Sequence, residues 1–74
     1  MEIKIYYCAP WNFTSYAAGL AEELNKTSGF QAVIIEGSKG IFDVVADGKL
    51  VFSRSETGRL PEPGEIIHKL KSPS

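Results

Sequence analysis

Cysteine occurs once in this chain, and so does histidine. One thiol cannot close an internal disulfide, and a single Cys with a single His cannot supply a cysteine-rich zinc site. An excess of one charge is also lacking. Eight Lys and Arg face nine Asp and Glu, for a formal charge of -1. Both signs are spread along the chain, and no basic cluster exceeds two closely spaced residues. No field therefore steers nucleic acid or an anionic membrane surface, and neither is an expected partner. No apolar run approaches the ~18 residues of a membrane span. The N-terminal Met1-Glu2-Ile3-Lys4-Ile5 lacks the basic-then-apolar pattern of a signal peptide. A cytoplasmic location, where a free thiol stays reduced, is the expectation. There are no repeats and no low-complexity segment.

What is present suits one small folded domain over residues 1–74, with 43% hydrophobic and 23% charged residues. A chain of this size buries about 60–65% of its unfolded surface and has no room for a deep cleft. Ile3, Ile5 and Tyr7 alternate with Glu2, Lys4 and Tyr6, which predicts a strand over 2–7. Phe13, Ala17, Leu20, Ala21 and Leu24 recur at helical spacing and predict a helix over about 11–27. Pro10 is acceptable in its first turn, and Gly29 is a stop signal beyond it. The β-branched run 30–36 predicts a strand buried on both faces or nearly so. Gly37-Ser38-Lys39-Gly40 reads as a turn. Strands follow over 41–46 and 50–54, joined at Asp47-Gly48 by a tight hairpin whose positive φ angles those residues accept. Residues 55–60 read as a polar loop. Pro61-Glu62-Pro63-Gly64-Glu65 opens a last helix burying Ile66, Ile67 and Leu70, and Ser72-Pro73-Ser74 is expected to fray. The order β-α-β-β-β-α, with a parallel pair across the first helix and an antiparallel hairpin, predicts an α/β (α+β) fold. Its four-stranded mixed sheet with two helices is the minimal thioredoxin-like arrangement.

An ordered set of segments carries a family resemblance. These are Ile-Tyr-Tyr-Cys at 5–8, Ala-Glu-Glu-Leu at 21–24 and Gly-Ser-Lys-Gly-Ile-Phe-Asp-Val at 37–44. Asp-Gly-Lys-Leu-Val-Phe-Ser-Arg at 47–54 and Gly-Arg-Leu-Pro-Glu-Pro-Gly-Glu-Ile at 58–66 complete it. With these segments the chain resembles the selenoprotein W-like (Rdx) family over nearly its whole length. The resemblance implies a thioredoxin-like fold. It also implies a redox site, Cys-x-x-Cys or Cys-x-x-selenocysteine, in the loop after the first strand. Cys8 matches the first redox position. Trp11 falls on the second and departs from the pattern.

Cys8 lies where the first strand gives way to the first helix. A thiol at a helix start faces unpaired N–H groups and the positive end of the dipole, both of which favour thiolate. Trp11 cannot resolve a mixed disulfide, so the chemistry left is that of one thiol. Cys8 would form a mixed disulfide with glutathione or a redox partner protein, released by an external thiol. Peroxide oxidation to sulfenic acid is also open to such a thiol. This is at most a monothiol oxidoreductase-like activity, and it calls for no cofactor beyond a glutathione adduct. The competing reading makes Cys8 a small buried hydrophobe at a strand end.

Trp11 has three readings: an apolar lid or partner contact, the mark of a lost activity, or a selenocysteine position read as tryptophan, since UGA and UGG differ by one base. The loop after the second strand should lie near Cys8. The binding residues expected around the thiol are therefore Ala9, Pro10, Trp11, Ser38, Lys39 and Gly40. Phe13, Phe42 and Phe52 read as core. Tyr6, Tyr7 and Tyr16 are candidates for partial exposure near the site. His68 reads as a solvated or half-buried residue, and no set of side chains suggests a metal. From another class comes the alternative function: a non-catalytic interaction module that keeps the fold and recognises partners through these loops or a sheet edge. Either protein would be a monomer or a weak dimer.

Overall fold

The alternation at the N-terminus builds a central strand. In the computed structural model, which describes residues 1–27, 29–62 and 64–71, this strand is β1 (Glu2–Tyr7). It is followed by α1 (Thr14–Asn25), β2 (Gln31–Glu36), β3 (Phe42–Ala46) and β4 (Lys49–Ser53). Two helices, α2 (Arg54–Thr57) and α3 (Glu65–Lys71), complete the described chain. The four strands form one mixed sheet in the order β2-β1-β3-β4. β1 runs parallel to β2 and antiparallel to β3, and β3 pairs antiparallel with β4. This is the mixed-sheet thioredoxin-like topology that the element order predicts.

Ile3 and Ile5 are fully buried while Glu2 and Lys4, which alternate with them, are exposed. α1 packs on β1 and β2 with Ala17, Ala21 and Leu24, and α3 lies against β4 with Ile66 buried. Phe42, Val44 and Phe52 complete the centre of the core. Burying each of the larger side chains stabilises the fold by roughly 1.5–3 kcal/mol. Leu20, Ile67 and Leu70 pack at the margin of the core, partly buried. The hairpin forms as expected: Asp47 (φ 50°) and Gly48 (φ 81°) take the left-handed conformations of a two-residue turn. Asp47 is further tied to β1, its Oδ1 accepting from Glu2 N–H at 2.9 Å.

Four expectations change. The strand over 30–36 is not buried on both faces. β2 is an edge strand, and Val33 is 51% exposed. A β-branched run suits a half-buried edge as well as a central strand, so composition alone does not separate the two. The edge is guarded by Asn25, the last residue of α1. Its Nδ2 donates to Ala32 O at 3.1 Å and its Oδ1 accepts from Ala32 N–H at 2.8 Å, in the manner of a neighbouring strand.

Second, α1 starts at Thr14 and ends at Asn25, inside the expected 11–27. Residues 9–12 form a turn instead. Asn12 N–H donates to Ala9 O at 3.0 Å, and Asn12 adopts φ 63°, which breaks the helical path.

Third, the segment 55–60 is not all loop. Arg54–Thr57 makes one helical turn, stopped by Gly58 at φ 76°.

Fourth, the last helix begins at Glu65. Its start is organised by Glu65, whose carboxylate accepts from both guanidinium nitrogens of Arg59 at 2.8 and 2.9 Å and from Glu62 N–H at 2.9 Å. These hydrogen bonds, Arg59 first, hold the Glu65 carboxyl down at about 2. Pro63 and the expected frayed end, Ser72–Ser74, lie outside the described residues.

Candidate functional site

Sheet order brings three chain segments to one end of the molecule. Tyr7, the last residue of β1, pairs with Phe42 at the start of β3 and with Glu36 at the end of β2. The loops 8–13 and 37–41 therefore leave the sheet side by side, and Gly37 N–H donates to Tyr7 O at 2.8 Å. Ser53 pairs with Asp43, so Arg54 emerges at the same end.

Cys8 follows β1 directly and is fully buried, with 0% of its surface exposed. Its carbonyl accepts from Phe13 N–H at 3.2 Å, which closes the loop 9–12 above the strand end. Because Thr14 opens α1, the thiol is not in the first turn of a helix, and the dipole argument does not carry over. Ala9 is half-buried, and Pro10 and Trp11 are exposed. On the neighbouring loop Ser38 and Lys39 are exposed and Gly40 is half-buried.

The structure brings Trp11 and Gly40 together. A Cβ on Gly40 would stand 3.2 Å from Cη2 and Cζ3 of the indole, and Gly40 itself takes φ 79°. Only glycine meets both conditions without strain. Trp11 nevertheless keeps 44% of its surface exposed. An aromatic chain leads inward from it. Trp11 meets Phe13 edge-to-face at 6.1 Å, Phe13 meets Phe42 at 6.2 Å, and Phe42 meets Tyr16 at 5.5 Å. Phe42 and Phe52 are buried core residues as expected, whereas Phe13 is the link between core and loop.

Arg54 is a residue that pattern reading misses. Its guanidinium carbon lies 5.3 Å from the Trp11 ring centre and 5.5 Å from that of Phe13. Nothing local in Phe-Ser-Arg-Ser announces this. The signal lies in the register, since the β3–β4 hairpin returns Ser53–Arg54 to the end of the sheet where β1 finishes.

Other candidates stand apart. His68 is exposed on α3. Among the described residues no group of His, Cys, Asp and Glu could hold a metal ion, and no helix is long and apolar enough to cross a membrane. A groove of about 230 Å³ lies between α1 and the segment before α3, lined by Ser15, Tyr16, Gly19, Leu20, Glu23, Pro61 and Glu62. Burial first, and then the nearby Glu65 and Glu62 charges, raise the Tyr16 hydroxyl above its ordinary value.

Residues 2–72 match the model of the Rdx family. This chain belongs to the Rdx family. A crystal structure of a protein from Bordetella parapertussis is similar, with a TM-score of 0.88 and 26% identity over 95% of this chain and 92% of that one. A selenoprotein W-related protein from Vibrio cholerae is likewise similar, with a TM-score of 0.85 and 26% identity over 95% and 91% of the two chains. No curated protein sequence matches the chain. Trp11, three residues after Cys8, contacts the second loop and Arg54.

Proposed function

We propose that this Rdx protein is a small one-thiol redox protein whose Cys8 forms a mixed disulfide with glutathione or a partner protein. The reaction needs loop 9–12 to open. In the open form the Cys8 thiolate attacks one sulfur of a disulfide such as oxidised glutathione. A Cys8–glutathione S–S bond forms as the original S–S bond breaks, and the second glutathione leaves as thiolate and takes up a proton. Cys8 is oxidised and the released glutathione is reduced. A further thiol reverses the step, because no resolving thiol stands in this chain.

The observation that carries this reading is the placement of Cys8 at the end of the central strand, directly before a loop closed by the Phe13 N–H to Cys8 O hydrogen bond and carrying Trp11. The indole rests on Gly40, Phe13 and the Arg54 guanidinium. These are peripheral contacts that a local opening breaks without disturbing the sheet. Family membership supports the redox class.

A second reading, the non-catalytic interaction module, is favoured by the burial of Cys8 at 0% exposed beside a Trp11 that is 44% exposed. A half-exposed tryptophan in cation–π contact with an arginine suits a binding hot spot. The experiment that separates the two is the rate of Cys8 modification by a thiol reagent across pH, in the folded protein and in denaturant. A folded-state rate that is slower but measurable and that rises with thiolate fraction supports the redox protein. Modification only after global unfolding supports the module.

A further inference from the structure

Arg54 and Arg59 are the two arginines of the chain, and their situations are opposite. Arg59 is taken up by Glu65 in a forked ion pair. The other ion pair among the described residues is Lys26–Glu22, so Arg54 has no carboxylate within 4 Å among them. No hydrogen bond of the described residues uses its guanidinium either. It is half-buried, and its guanidinium lies against two aromatic rings, Trp11 and Phe13. A cation–π contact uses no N–H donor of the guanidinium in a hydrogen bond, and its planar fork of donors matches a carboxylate. Aromatic support also lowers the entropy lost when a ligand binds. Lys39 precedes the Gly40 that touches Trp11, which puts a second cation on the loop facing the same indole. Glu36 and Asp43 at this end of the sheet and Glu56 on α2 are the nearby acids, and none pairs with Arg54.

We infer that Arg54, with Lys39, forms a carboxylate-recognition site on Trp11 that selects anionic, glutathione-like ligands for the Cys8 loop. The inference takes its ligand class from the one-thiol reading, but the binding it describes does not require the thiol to react. Arg54 is a positioning and specificity residue that holds the ligand's carboxylate beside the loop that follows Cys8. Neutral and cationic disulfides lack the group it reads.

Trp11 is the one tryptophan, so its fluorescence reports this site directly. The test titrates the folded protein with S-methylglutathione, which cannot form a disulfide, and with its diethyl ester. Saturable quenching by the acid is expected, with binding of the ester weaker by roughly tenfold or more, the loss that follows from removing a charge-assisted hydrogen-bonded pair. Arg54→Gln is expected to weaken the acid to the level of the ester. Arg54→Lys should recover part of the affinity, because the charge is kept and the fork is lost. Lys4→Gln, which removes the same charge from the exposed side of β1, should leave the titration unchanged. Circular dichroism confirms that each variant is folded, and Lys39→Gln provides a second removal of charge should Arg54→Gln unfold. Equal binding of acid and ester, an Arg54→Gln titration that superimposes on wild type, or no saturable quenching at all overturns the inference. Quenching that depends on Arg54 while Cys8 stays inert to oxidised glutathione upholds this site and removes the redox reading. Adduct formation without any Arg54 dependence does the reverse.

Discussion

The indole of Trp11 occupies the space that a side chain at residue 40 would need. A Cβ on Gly40 would sit 3.2 Å from two indole carbons, on a backbone at φ 79°. Gly40→Ala therefore meets strain twice, about 1–2 kcal/mol from the left-handed backbone and more from displacing the ring. The expected outcome is a folded, less stable protein in which Trp11 moves toward water. Its fluorescence shifts to the red, and Cys8 reacts faster with a thiol reagent than in wild type. An unshifted spectrum with unchanged labelling would show that Trp11 does not secure the loop.

Phe42 is fully buried, and its ring meets both Phe13 and Tyr16. Phe42→Ala removes the centre of the aromatic chain and leaves a cavity, at a cost of about 3–5 kcal/mol. In a domain of this size that is a large part of the total stability. Chemical denaturation should give a midpoint far below wild type, or no cooperative transition. A loss under 1 kcal/mol would contradict the packing described.

Glu65 is the group whose ionisation is tied most clearly to the fold. Its carboxyl is held at about 2, chiefly by hydrogen bonding to Arg59 and then by Glu62 N–H. A depressed carboxyl contributes stability that is fully present above its unfolded value of ~4.3. That stability is lost as the pH falls from there through about 2. The melting temperature should therefore fall across this interval, and Arg59→Gln should flatten this part of the profile. Because Arg59 is half exposed, the contribution is modest and should shrink in high salt. Identical acid profiles for wild type and Arg59→Gln would remove the ion pair from the account.

Asn25 stands in for a missing strand on β2. Asn25→Ala leaves Ala32 N–H and C=O without their side-chain partners, and a loss of about 1–2 kcal/mol is expected. It also opens an edge able to pair with another chain, so sedimentation should report more self-association than in wild type. A monomer of unchanged stability would contradict this role.

Much of this architecture is legible in the residues. Ile3 and Ile5 alternate cleanly with charged neighbours, Asp47-Gly48 has one favoured turn geometry, and Ala17, Ala21 and Leu24 fall on one helical stripe. What escapes is what depends on distant partners. Val33 and its neighbours look like a central strand until the sheet order makes β2 an edge. The helix signal reaches back to Trp11, but Asn12 adopts the left-handed conformation and delays the helix to Thr14. At the site, the meeting of the Cys8 loop with the Gly37–Gly40 loop follows from the parallel pairing of β1 and β2. Arg54 does not announce itself, because its place over Trp11 is a product of hairpin register and side-chain packing.

The claim that Cys8 is a working thiol beneath a Trp11-anchored loop is tested most directly by intact-protein mass spectrometry. Wild type and Trp11→Ala are exposed to oxidised glutathione under native conditions and followed over time. The account predicts a single glutathione on Cys8 in both proteins, forming several-fold faster in Trp11→Ala and removed by an added dithiol. No adduct on either folded protein, with rapid modification once denaturant is added, would contradict it.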